Sequence, residues 1–208
     1  MITWSQFGLF SAASLVLIFT PGPDIIYVMT RGMAQGRKAA LAAAAGFSLG
    51  NFVHTFFAVI GLSALLAASA TAFHIVKWAG AAYLICLGVR MIRNASAADL
   101  SVRGPRVSGW AVFRQSIVAN VLNPKVAIFF LAFFPQFIDT GRGAAQYQMM
   151  SLGTFFVLLT FICFGLVGIC SGWIGAWLRR NTKAEMRMGK IAGAILIVLG
   201  LSLAIPEN

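Results

Sequence analysis

Long apolar runs separated by short polar or basic stretches dominate the chain. By length they mark six segments, at about 4–30, 40–66, 74–92, 110–135, 147–172 and 189–206. Each is close to the roughly 20 apolar residues that cross a bilayer as a helix. The expected fold is an all-α polytopic membrane protein of six transmembrane helices with short connections.

The order of features repeats along the chain. Segment three opens with Lys77-Trp78-Ala79-Gly80-Ala81, and segment six with Lys190-Ile191-Ala192-Gly193-Ala194. Segment one carries Pro23-Asp24 where segment four carries Pro124-Lys125. Gly50-Asn51-Phe52 in segment two faces Gly153-Thr154-Phe155 in segment five. These matches divide the chain into repeat one over about 4–92, a cytoplasmic linker over about 93–109, and repeat two over about 110–206. A repeat of three spans inserts upside down relative to its partner, which is the inverted-repeat plan of many secondary transporters.

Composition removes the soluble alternatives. Of 208 residues, 60% are hydrophobic and 10% charged, and the mean hydropathy is +0.87. Soluble domains carry about 25% charged residues, so a water-soluble enzyme is excluded. The net charge of +11 would suggest nucleic acid in a soluble protein. Here, however, thirteen of the 16 basic residues fall in three clusters between apolar segments. The clusters are Arg31, Arg37 and Lys38; Arg90, Arg93, Arg103, Arg106 and Arg114; and Arg179, Arg180, Lys183, Arg187 and Lys190. No polar segment interleaves basic and aromatic residues, so no nucleic-acid partner is expected.

The positive-inside rule puts these three connections in the cytoplasm and both termini on the outer side. Trp4, Trp78, Trp110, Tyr147, Trp173 and Trp177 fall near the expected interfaces. Residues 1–7 contain no basic residue, so the first run reads as a span rather than a cleaved signal. Cys86, Cys163 and Cys170 form neither a disulfide framework nor a C-x-x-C motif.

Two spans carry helix-breaking chemistry at matching positions: Thr20-Pro21-Gly22-Pro23 in segment one and Asn123-Pro124 in segment four. Proline removes a backbone donor and clashes with the preceding turn. Thr20 and Asn123 are N-cap residue types followed by proline, so each site reads as a helix end followed by a restart. A plain proline kink is the simpler alternative. Pro21 lies ten residues before Arg31, and Asn123 lies nine after Arg114. At about 1.5 Å per residue both breaks fall near the middle of a hydrocarbon core of roughly 30 Å.

Asp24 and Lys125 each follow a break-site proline and are the only acid and base deep within the spans. A charge at that depth costs at least about 2.5–3.5 kcal/mol, so it is expected to be paired or functional. The pair can be a salt bridge locking the two halves, or Lys125 can snorkel toward an interface. Alternatively both line a site for a small zwitterion, with Asp24 facing an ammonium and Lys125 and the restarted helix N-termini facing a carboxylate. Asn51 can reach such a cavity or hold a neighbouring helix by a hydrogen bond. His54 fits a satisfied interior histidine better than a proton relay. Tyr83 fits packing better than substrate contact, and Gln136 after Pro135 is a candidate gate residue.

Thr20-Pro21-Gly22-Pro23-Asp24, the pattern Lys77-x-x-Gly80-Ala81-x-Tyr83-Leu84-x-x-x-Gly88, and Asn123-Pro124-Lys125 followed by Phe134-Pro135-Gln136-Phe137 together resemble the LysE/RhtB family of amino-acid exporters. The resemblance covers essentially the whole chain. It implies a bacterial inner-membrane transporter that moves neutral or basic amino acids outward, driven by the proton-motive force, with protons as coupling ion and Asp24 as a suitable carrier. These motifs do not select a substrate.

Two competing readings make specific demands on the residues, and a purely structural membrane subunit would give no reason for two charges at that depth. A metal-ion exporter of similar architecture wants several carboxylates, histidines or thiolates, and only Asp24 and His54 are plausible donors within the spans. An intramembrane redox or enzymatic protein wants a reactive cysteine pair or a nucleophile with a base, and neither is legible. No motif asks for a cofactor. Gly46/Gly50, Gly168/Gly172 and Gly189/Gly193 have the spacing for close helix contact, which serves packing within one bundle as readily as a homodimer.

Overall fold

The structure is a computed structural model that describes residues 2–68, 70–93, 106–139, 141 and 143–204. Arg103, most of the expected linker 93–109 and the end of segment six lie outside the described residues. The described residues are almost wholly helical and contain no strand.

The helices are α1 (Trp4–Phe19), α2 (Pro23–Gln35), α3 (Arg37–Ala68), α4 (Ala70–Arg93), α5 (Gly109–Val121), α6 (Pro124–Ile128), α7 (Ala145–Ile169), α8 (Ser171–Arg180) and α9 (Thr182–Ala204). A π-helical turn over Phe129–Phe133 and a 3-10 turn over Phe134–Phe137 continue α6. Segment one is thus α1 and α2 joined at a bend of 58°, and segment four is α5 and the α6 unit joined at 50°. With each bent pair as one span, α3 and α7 complete four helical units apolar enough to cross a membrane. Helices α4 and α9 have 24 and 23 residues, about 35 Å of helix, and carry charged residues toward their ends.

The boundaries around the last connection differ most in consequence from the sequence expectation. Segment five stops at Ile169 rather than 172, and segment six begins at Thr182 rather than 189. Between them lies α8, a short amphipathic helix. Its Leu178 and Ile174 pack on Met29, Ile26 and Met33 of α2 while Trp173 stays exposed. A ten-residue helix with one apolar stripe has too few apolar residues to register as a span.

The helices pack in corresponding pairs, α3 along α7 and α4 along α9. Helices α4 and α9 approach at Gly88 and Gly193, where a Cβ on either glycine would meet the other's carbonyl oxygen. Gly46 and Gly50 lie against α5, and Gly168 lies against Ala40, so these glycines serve contacts within the chain. Phe56, Phe57, Leu158, Ile162 and Val198 are exposed, as lipid-facing side chains must be when no water-facing polar shell exists. The connections rich in arginine come together: Gln35 Nε2 donates to the Val107 carbonyl at 2.8 Å, and Arg31 donates to Gln115 at 3.4 Å.

Candidate functional site

The two breaks meet at the centre of the bundle, and their local chemistry differs. At the first, Thr20 ends α1 instead of opening α2. Its hydroxyl and its backbone N–H both donate to the Val16 carbonyl, at 2.6 and 2.9 Å. The N-cap of α2 is Gly22, in extended backbone, with Pro23 at the first helical position and no side-chain cap. The expected capping role of Thr20 is therefore corrected. A threonine hydroxyl can bond back to the carbonyl four residues earlier, and here it closes a helix end. At the second break Asn123 is the N-cap, as its sequence suggests, and its Oδ1 accepts from the Lys125 backbone N–H at 3.0 Å.

Asn123 also has a second partner. With Oδ1 committed to the cap, its Nδ2 donates to Asp24 Oδ1 at 2.7 Å, joining the start of α6 to the start of α2. Lys125 reaches the other way. Its Nζ donates to the carbonyls of Thr20 and Leu17, at 3.3 and 3.4 Å, and so satisfies the end of α1. Asp24 and Lys125 are 3% and 7% exposed. Both charges are held across the opposite break, and among the described residues they form no direct ion pair with each other.

Both charges line one pocket, together with Asn51, Asn120, Thr160 and Phe156, whose free space of about 10 Å³ has room for one water at most. Ligand pockets usually span roughly 300–1,000 Å³, so any substrate requires the walls to part. Toward the termini, the space beyond the pocket is filled by rings. Phe129 stacks on Phe156 at 5.3 Å, Phe130 meets Phe156 edge-on at 5.3 Å, and Phe10 packs edge-on against Phe134 and Phe137. Toward the basic side Phe47 packs on Phe164 and Tyr27, and the Tyr27 hydroxyl donates to Gln115 at 2.8 Å.

The structure does not gather every residue singled out from the sequence. Asp24, Lys125 and Asn51 line the pocket; Asn123, Pro124, Gly22 and Pro23 form the breaks beside it. Pro21 instead borders a lateral apolar groove between α1 and α9, with Ile191 and Ile195. Tyr83 on α4 is half-buried, and Gln136 sits in the 3-10 turn; neither lines the pocket. His54 is buried, stacked on Phe130, and its Nε2 lies 3.1 Å from the Asn120 carbonyl oxygen. That oxygen can only accept, so Nε2 carries a proton.

Asn120 and Thr160 are pocket residues that the sequence reading missed. Asn120 sits in the last turn of α5, where its carbonyl accepts from the Asn123 backbone N–H at 2.9 Å, and its nearness to the Asn123-Pro124 break was a readable signal. Thr160 is one hydroxyl in a long apolar run and gave no such sign. Among the described residues no three His, Cys, Asp or Glu side chains gather as metal ligands, and the three cysteines are free and apart.

Comparison with known proteins agrees with this architecture. The family description LysE type translocator matches residues 15–207. The homoserine/homoserine lactone efflux protein of Salmonella typhimurium is 32% identical over 204 residues, 98% of each chain. The leucine efflux protein of an Enterobacter species is 28% identical over 200 residues, covering 96% of this chain and 93% of the relative. An uncharacterized membrane protein of Vibrio cholerae is 31% identical over 92% of each chain. No solved structure matches. With the family match and the relatives both spanning nearly the whole polytopic chain, the protein belongs to the LysE type translocators, and it is a membrane transporter and not an enzyme.

Proposed function

We propose that this chain exports amino acids through the pocket between its two broken helices, from the cytoplasm outward across the bacterial inner membrane. The observation that carries the reading is that Asp24 and Lys125 share one pocket but spend their hydrogen bonds across the breaks and not on each other. A zwitterion fits that arrangement. Its ammonium takes the place of Asn123 at Asp24, and its carboxylate takes the place of the α1 carbonyls at Lys125. Substrate binding then exchanges contacts that hold the breaks together for contacts to the cargo, and this loosens the two halves.

The names of the relatives, efflux proteins for homoserine, its lactone and leucine, support small neutral amino acids as first substrates to try. The basic connections place α2, α8 and the start of α9 on the cytoplasmic side, with both termini outside. In this orientation the Tyr27–Gln115 contact faces the cytoplasm and the aromatic stack faces out. Protons are the coupling ion, with Asp24 as the carrier.

Everted vesicles containing the protein are expected to accumulate labelled homoserine or leucine when acidified inside, and to lose this uptake when the gradient is collapsed. Asp24→Asn is expected to abolish it while membrane levels of protein stay unchanged. Gradient-independent behaviour across a broad amino-acid panel, or wild-type uptake by Asp24→Asn, overturns the reading.

A further inference from the structure

The pocket holds an oriented acceptor that the two charges leave unused. Asn51 is 2% exposed, and its amide Nδ2 donates to Thr160 Oγ1 at 3.1 Å. The Thr160 hydroxyl proton is committed to the Phe156 carbonyl at 2.8 Å, so toward Asn51 that oxygen can only accept. The amide therefore has one orientation, its NH2 toward α7 and its Oδ1 away from it. Oδ1 is buried and has no hydrogen-bond partner. An unpaired buried acceptor carries a desolvation cost that a native site removes when its ligand arrives.

The other unpaired amide oxygen of the pocket is not equivalent. Asn120 Oδ1 is also buried and unpaired, but it lies against Gly50, where a Cβ would collide with it. Backbone closes its approach. Asn51 Oδ1 is thus the unpaired acceptor left for a ligand, on a side chain that lines the pocket with Asp24, and the positive Lys125 forms another wall. Once Asp24 has released its proton, its carboxylate and the Asn51 amide oxygen only accept, and two such acceptors select a cation carrying several N–H donors.

We infer that Asn51 is the second acceptor for the ammonium group of a primary amino acid, beside Asp24, and that Thr160 is the residue that positions its amide. This rests on the proposed export of amino acids and adds its recognition rule: the amino group must keep its N–H donors. A site built to pair such donors discriminates strongly against analogues that lack them.

The test uses purified protein in proteoliposomes with an imposed proton gradient. Labelled L-leucine and L-homoserine are the substrates, and their N,N,N-trimethyl derivatives are the competitors. The wild type is expected to prefer the primary amines by at least about 100-fold. Asn51→Leu, similar in shape but with no acceptor, is expected to raise KM about 10- to 100-fold with a smaller change in kcat, and to erase most of that preference. Thr160→Val frees the amide to turn and is expected to lose part of the preference, while Thr160→Ser restores it. If Asn51→Leu does not fold, the Thr160 pair decides.

Unchanged KM and preference in both Asn51→Leu and Thr160→Val, with uptake still abolished by Asp24→Asn, overturn this inference alone. A wild type that takes trimethylated substrates equally well, or that requires sodium ions at this pocket, also overturns it. Full uptake by Asp24→Asn overturns the export reading on which it rests.

Discussion

The two breaks occupy matching places in the two halves, yet they are built with opposite electrostatics. The first puts Asp24 in the opening turn of α2, where the positive end of the helix dipole favours an anion. The second puts Lys125 in the opening turn of α6, where the same dipole opposes a cation. Lys125 resolves this by turning away from its own helix to the carbonyls at the end of α1, the negative end of another dipole. The first break has no side-chain cap, whereas the second brings Asn123, which caps its own helix and also bonds Asp24. The second break thus supplies the side chains that hold both. A charge whose position is unfavourable locally is made stable by the opposite half.

Substitutions at the two breaks separate these roles. Lys125→Met removes the donor from two α1 carbonyls and the positive charge that shares the pocket with the buried Asp24 carboxylate. The expected loss is about 3–5 kcal/mol, read from thermal unfolding of the purified protein in detergent. Adding Asp24→Asn is expected to recover part of it; strict additivity would mean that the two charges do not interact.

Next is Asn123→Ala, which loses a cap and a charge-assisted bond together, for about 2–4 kcal/mol. Asn123→Ser keeps a capping oxygen but cannot span to Asp24, so the difference between the two variants measures the bond between halves. If serine matches asparagine in the same melt, the second break caps only itself.

Gly22→Ala brings a Cβ to about 3.1 Å from Lys125 Nζ, the flexible end of a long side chain. Extended backbone accepts alanine, so a loss below about 1 kcal/mol is expected. A loss as large as that of Asn123→Ala would show the first break to be as demanding as the second. Smallest is Thr20→Val. The Val16 carbonyl keeps its bond from the Thr20 backbone N–H, so stability should fall by less than about 1 kcal/mol, with uptake retained.

Much of this architecture is legible in the chain. Apolar length gives the spans, and prolines give the breaks. Asn123-Pro124 is read correctly as cap and first helical residue because that signature is local. Thr20 is misread because its hydroxyl has two local choices, and only the backbone at Pro21-Gly22 decides between them. Helix α8 escapes a length criterion, since ten residues with one apolar stripe depend on α2 for their burial. Thr160 is invisible because a lone hydroxyl in an apolar helix takes its meaning from the helix it faces.

The sequence by itself determined where helices must end and that one acid and one base lie deep in the membrane. Breaking a helix and burying a charge are consequences of residue type and distance along the chain. The tertiary structure alone decided the partners: Asp24 with Asn123 at a separation of 99 residues, Lys125 with Thr20 at 105, and Asn51 with Thr160 at 109. No local pattern encodes these pairs. Each follows from packing the second half of the chain against the first, and that packing holds two charges around one pocket without a direct ion pair, where the sequence left a salt bridge and a binding site as alternatives.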